Sequence, residues 1–278
     1  MASKRLLVNA DDFGLSPAIN AGIIRSHVDG IVASTSIVAS GSAFDEAVQL
    51  SRMHPALGVG VHLTLVEENA VAPASKIPSL APNGILPGTY GELIKKVLTA
   101  QIRMPEIERE LRAQIEKCLA AGLKPTHLDS HQHTHALPLI FPLVVRLADD
   151  YAIHGIRIPR GWPGVRDVSA SRFIPKCVLC LFAHLDAVVF SLKSCVATRH
   201  FAGLFETGNL TKPSFNRILG HLRSGTTELV CHPGYADLSG PYQNWGGRRE
   251  LEMATLTNPH IRDAIRTMGI EVINYRQL

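Results

Sequence analysis

Short strand-like runs alternate with helical patterns along almost the whole chain, and no other sequence feature limits the fold as much. Residues 5–9, 31–40, 57–65, 124–128, 154–159, 227–231 and 270–275 read as strands. The stretches between them carry clear helix signals. Ser16 before Pro17 and Asn258 before Pro259 each put a capping side chain ahead of a proline at the first helical position. Ile107, Leu111, Ile115, Cys118 and Leu119 form an apolar face over 105–121, with Gly122 following. Strand–helix alternation without a linker or repeat predicts parallel βα units in one α/β domain over residues 1–278, closed as a distorted TIM-like (β/α) barrel. No GxGxxG follows the first strand, which disfavours a dinucleotide site.

Composition narrows the function classes. Apolar residues make up 46% and charged residues 19%, ample for a packed core. The net charge of +4 is dispersed, with no dense Lys/Arg run and no aromatic–basic alternation, so no nucleic-acid partner is expected. The five cysteines, Cys118, Cys177, Cys180, Cys195 and Cys231, are odd in number and sit mostly among apolar neighbours. They suggest a reducing, cytoplasmic setting rather than a disulfide framework, and the Cys177/Cys180 pair reads as core packing. The N-terminus runs straight into a strand pattern, so no signal peptide is expected. No run of about 18 uncharged apolar residues is present to span a membrane. The apolar stretch 172–192, interrupted by Lys176, His184 and Asp186, reads as a buried outer helix. The Pro-, Ala-, Asn- and Gly-rich stretch 66–89 reads as a lid or binding loop.

Polar groups recur where strands end. Asp11 and Asp12 follow the first strand, His62 lies in the third, and His232 follows 227–231. His127, Asp129, His131, His133 and His135 crowd into nine residues after 124–128. In a parallel barrel these ends share one face, where active sites of such folds lie. One aspartate with two histidines makes an open site for a divalent cation. A second aspartate is then left as a base, and His232, on a rigid Pro-Gly turn, can act as a proton donor. Histidines 131, 133 and 135 could equally be solvated loop residues. Trp162, Tyr235 and Trp245 fall in loops, suited either to stacking on a sugar ring or to packing.

Five segments in this order resemble the YdjC-like carbohydrate deacetylases, metal-dependent N-deacetylases on a distorted TIM-like barrel. They are Asn9-Ala-Asp11-Asp12-Phe13-Gly14, Gly60-Val-His62-Leu, Pro125-Thr-His127-Leu-Asp129-Ser130-His131-Gln-His133-Thr-His135, Arg157-Ile-Pro159 and His232-Pro-Gly-Tyr-Ala-Asp237. Leu15-Ser-Pro-Ala-Ile-Asn20, Ala33-Ser-Thr-Ser-Ile and Thr227-Glu-Leu-Val-Cys-His232 resemble the hopanoid-associated branch in particular. The resemblance implies that Asp12, His62 and His131 hold one divalent metal ion, Mg2+ or Zn2+. It implies that Asp11 is the general base, His232 the general acid and Arg157 the residue orienting the base. The implied substrate is an N-acetylated sugar, specifically an N-acetylglucosaminyl lipid of hopanoid type, with chitooligosaccharides as the alternative. A transient membrane-surface contact and a homo-oligomer are compatible with that reading. Arg160-Gly161 stands where many relatives carry an acidic residue. A metal-dependent hydrolase of another bond, and a sugar-binding protein that has lost the chemistry, remain as competing readings.

Overall fold

The computed structural model describes residues 3–161, 170–190, 195–237 and 242–278. In chain order the elements are β1 (Lys4–Phe13), α1 (Pro17–Val28), β2 (Ser34–Ile37), α2 (Phe44–Met53), β3 (Gly58–Leu63), α3 (Tyr90–Leu98), α4 (Met104–Ala120), β4 (His127–Ser130) and α5 (Phe141–Asp150). There follow β5 (Gly155–Ile156), α6 (Ala170–Phe190), β6 (His200–Ala202), α7 (Lys212–His221), β7 (Gly225–Cys231), α8 (Gly246–Leu256), α9 (Pro259–Thr267) and β8 (Glu271–Ile273). The expected helix starts are present: the Ser16 hydroxyl accepts from Ile19 N at 3.3 Å, and Asn258 Oδ1 accepts from His260 N at 3.0 Å.

All strand pairings are parallel, in the order β5-β4-β3-β2-β1-β7-β6. The sheet departs from a regular barrel in two ways. β8 pairs with Arg5–Leu7 at the start of β1, while β2 pairs with its later residues, so two short strands share the length of one. The opposite edges, β5 and β6, are not neighbours. Val196 bridges to Gly155 of β5, and the same chain continues into His200–Ala202 along β7, so one segment touches both edges. The expected α/β single domain with a distorted parallel barrel is the observed architecture.

Several boundaries differ from the sequence expectation. β1 runs through Asn9, Asp11 and Asp12 to Phe13 because these polar residues are buried against one another rather than solvated. After β4, α5 does not begin until Phe141, and the intervening His131–Ala136 is a 3-10 stretch kinked at Gln132 and His133. β6 was not anticipated; it is only three residues long and is defined by its pairing with β7. The apolar segment near 172–192 is helical as expected, but it is not fully buried: Val178, Leu181 and Leu185 are exposed.

The long 66–89 segment is held down rather than free. On α4, Glu106, Glu110 and Gln114 line one side at four-residue spacing. Glu110 accepts from Val71 N and Ala72 N, Glu106 from Ser79 N and Leu80 N, and Gln114 pairs with both backbone groups of Thr64. The core proper lies between sheet and helices, with Leu6, Val8, Ile37, Val61, Leu128 and Ile156 from the strands fully buried. No helix among the described residues is long and apolar enough to cross a membrane.

Candidate active site

Strand geometry alone would send Asp11 and Asp12 to opposite faces of the sheet. The register between β1 and β2 slips between Ala10 and Phe13, where three steps on β1 match two on β2. Asp12 takes a left-handed φ of 75° at this bulge. The extra residue turns both carboxylates into one cleft, a local strain of the kind found at functional sites.

Asp12 Oδ1 lies 3.5 Å from His62 Nε2, at the end of β3, and 3.1 Å from His131 Nδ1, just after β4. Ligand atoms of these three residues lie within 4.8 Å of one another, consistent with a metal site. The other oxygen of Asp12 accepts from Arg249 of α8 at 2.6 Å. Burial opposes the charge on Asp12, but Arg249 and His131 outweigh it and hold the carboxyl well below its ordinary range. Burial likewise opposes protonation of His62, and Asp129 and Asp11 outweigh it, raising its pKa.

Both histidines are oriented from behind. His62 Nδ1 meets Asp129 Oδ1 at 2.8 Å, and His131 Nε2 meets Glu67 Oε2 at 3.2 Å. Carboxylates in this position fix ring orientation and increase donor strength. Asp129 is itself tied to Ser36 Oγ at 2.9 Å and to Arg157 Nη1 at 2.8 Å. Burial would raise its pKa, but Arg157 and His62 lower it, so it stays ionised.

Arg157 is fully buried and organises the rest. Its Nη1 and Nη2 each donate to Asp11 at 2.7 Å, and its Nε donates to Glu228 of β7 at 2.7 Å. Asn9 Nδ2 also donates to Asp11 at 2.9 Å. Burial works against the guanidinium charge, and Asp11, Asp129 and Glu228 overcome it. The buried carboxylates of Asp11, Asp12, Asp129 and Glu228 thus face the buried guanidiniums of Arg157 and Arg249. One carboxylate beside two imidazole donors suits a divalent cation.

His232 follows β7 and lines the same cleft. Its Nδ1 lies 4.0 Å from Glu252, which also accepts from the backbone N of His232 at 2.6 Å. Arg249 and Glu252 sit three apart on α8 and so share a face, one serving Asp12 and the other His232. The cleft has a volume of about 490 Å³; Leu15, Leu179 and Leu204 are among its apolar lining residues, and Tyr90 and Tyr242 also line it.

All six residues singled out from sequence therefore meet in one place. Of the crowded histidines, His131 alone approaches Asp12 and His62. His127 is stacked on Tyr275 with ring centroids 3.7 Å apart, and burial lowers its pKa to about 3. His135 bonds to Ser130 Oγ and the Arg157 carbonyl, and burial lowers its pKa to about 4. His133 lines the cleft with its edge against Phe201. Glu67, Asp129, Glu228, Arg249 and Glu252 had no assigned place in the sequence reading. Their partners lie up to 237 residues away, so no local pattern marks them. Of the aromatic candidates, Trp162 lies outside the described residues. Tyr235 does not line the cleft; its hydroxyl accepts from Arg25 at 2.8 Å. Trp245 is in a short 3-10 turn before α8.

The family model described as "YdjC-like protein" matches residues 5–267. A carbohydrate deacetylase of Brevibacillus brevis is 34% identical over 279 residues, covering 99% of each chain. A chitooligosaccharide deacetylase of Salmonella paratyphi B is 34% identical over 268 residues, covering 95% of each. A solved Enterococcus faecalis protein named for cellobiose-phosphate cleavage superposes with a TM-score of 0.79 at 27% identity, covering 99% of each chain. With the family model spanning nearly the whole chain and relatives a third identical from end to end, the chain belongs to the YdjC-like family.

Proposed function

We propose that the chain is a metal-dependent carbohydrate N-deacetylase that hydrolyses the acetamide of an N-acetylated sugar. The observation that carries this reading is the pairing of Asp11, locked by Arg157, with the Asp12–His62–His131 group on the same cleft. Asp12, His62 and His131 hold one divalent ion. An oxygen–nitrogen–nitrogen donor set favours Zn2+ over Mg2+, which prefers oxygen ligands. When bound, such an ion polarises the acetyl carbonyl and acidifies the attacking water.

The chain's own groups move the protons. Asp11 takes a proton from the water as its oxygen bonds to the acetyl carbon. His232 gives a proton to the sugar nitrogen as the carbon–nitrogen bond breaks, releasing acetate and the free amine. Each transfer is worth about 10²–10⁴-fold. Arg157 is a positioning residue that aims Asp11. The second possible ligand grouping, Asp11 with His62 and Asp129, is already engaged by Arg157 and Ser36, which favours one ion per chain over a two-metal hydrolase.

Within this activity, the substrate we favour is an N-acetylglucosaminyl lipid of hopanoid type. Leucines in the cleft lining suit an amphipathic molecule, and exposed Val178, Leu181 and Leu185 on α6 allow transient contact with a membrane surface. A chitooligosaccharide is the alternative, supported by the relatives' names and by Tyr90 and Tyr242 at the cleft wall. Acetate release from N-acetylchitobiose and from an N-acetylglucosaminyl lipid, with and without chelator, tests both levels. Chelator-sensitive release from the lipid alone supports the whole reading. Release from the chitobiose alone keeps the chemistry and removes the lipid. No acetate from either, with metal in the protein, contradicts the deacetylase reading.

A further inference from the structure

A second cleft of about 710 Å³ lies beyond Leu204, which forms part of the wall of both clefts. Arg160, Arg199, Arg217 and Arg223 line it, together with His184 of α6 and His200 of β6. Glu206 is the one acid among its described lining residues. Among the described residues none of the four arginines forms an ion pair within 4.0 Å, unlike Arg157 and Arg249, although Glu206 feels the charge of Arg217. Arg160 Nε and Thr227 Oγ1, both in the lining, are buried without a hydrogen-bond partner among those residues. Burial of Arg160 lowers its basicity with no acid to offset it. Buried donors without partners carry a desolvation cost that a bound anion would relieve.

His221 of α7 is a third histidine in the lining, and several of the other lining residues are apolar. Phe201, Phe205 and Leu222 belong to its lining and are themselves buried. On α6, exposed Leu181 precedes His184 by three residues and Leu185 follows it, so an uncovered apolar stripe borders the cleft. Arginine clusters suit tetrahedral oxyanions, because the planar guanidinium donates in pairs to phosphate oxygens.

We propose that this second cleft binds a phosphate group carried on an apolar body, separately from the catalytic cleft. The same chemistry could arrive as a soluble alkyl phosphate ester or as the headgroup of a membrane lipid. The site does not depend on the deacetylase reading, and binding is its readout.

The test is calorimetric titration of the full chain with inorganic phosphate, hexyl phosphate and dihexanoyl phosphatidic acid. Affinity should rise along that series. The double substitution Arg217→Glu with Arg223→Glu should weaken hexyl phosphate binding by about tenfold or more. It should leave the melting temperature unchanged. Co-sedimentation with phosphatidylcholine vesicles containing phosphatidylglycerol, but not with pure phosphatidylcholine, would identify a membrane lipid as the source. Binding of the soluble esters without vesicle retention would identify a soluble one, and either result sustains the site. Absence of saturable binding, or equal affinity in the charge-reversed variant, overturns it.

Discussion

Two nitrogens of Arg157 donate side by side to the two oxygens of Asp11, each at 2.7 Å, so neither side chain can turn without breaking both bonds. A lysine would keep the charge and lose this fork. Arg157→Lys is therefore expected to lower kcat by about 10²-fold, the scale of a misaimed catalytic group, while one ion per chain remains bound. Arg157→Ala strands Asp11, Asp129 and Glu228 without their cation, and should cost about 3–5 kcal/mol of stability. Steady-state kinetics and urea denaturation check the two variants.

In the proposed metal site, Asp129 would act on the ion through His62. Asp129→Asn removes both a negative charge and the acceptor at 2.8 Å from His62 Nδ1, so ion affinity should fall about 10–100-fold. Glu67 holds His131 in the same manner but is exposed, so Glu67→Gln should cost less. Competition against a chromogenic chelator measures both. Equal affinities in all three proteins would contradict this division.

The strand-then-polar order makes Asp11, Asp12, His62, His131 and His232 legible, because parallel strands bring their C-terminal ends to one face whatever the register. It cannot say which histidine after β4 turns inward. That is decided by left-handed φ values of 52° at Gln132 and 54° at His133, which break any side-chain period. Nor can it show that Asp11 and Asp12 face the same way, since the bulge in β1 exists only against β2. Arg249 and Glu252 lie on an ordinary amphipathic helix, and β6 is a three-residue strand defined by its neighbour.

Stability should depend on pH through His131. In the ion-free protein, burial opposes its protonation, but hydrogen bonds to Asp12 and Glu67 outweigh this and push its pKa from 6.5 to about 10. Because the folded value is raised, the stabilisation is fully present below pH 6.5 and is lost as pH climbs through about 10. A bound ion must displace that proton, so ion affinity should rise over the same span. Melting temperatures of chelator-stripped wild type and Glu67→Gln, compared from pH 6 to 10, check this. The wild type should lose its advantage as pH rises; an advantage that grows would contradict the assignment.

Gly60 lies against the ring of His127, and a Cβ there would fall 2.3 Å from Cε1. Gly60→Ala should destabilise the fold by at least about 1–3 kcal/mol, the usual cost of overpacking. Adding His127→Ala should recover part of that loss, because the clash is with this ring. Urea denaturation of both single variants and the double variant gives the coupling, and strict additivity would contradict the contact.

In the proposed mechanism Asp12 holds the ion while its neighbour Asp11 moves the proton. Metal content and acetate release, measured together on Asp11→Asn and Asp12→Ala, separate the two roles. Asp11→Asn should keep one ion per chain with turnover abolished, and Asp12→Ala should lose the ion. An Asp11→Asn protein with near-normal acetate release would contradict it.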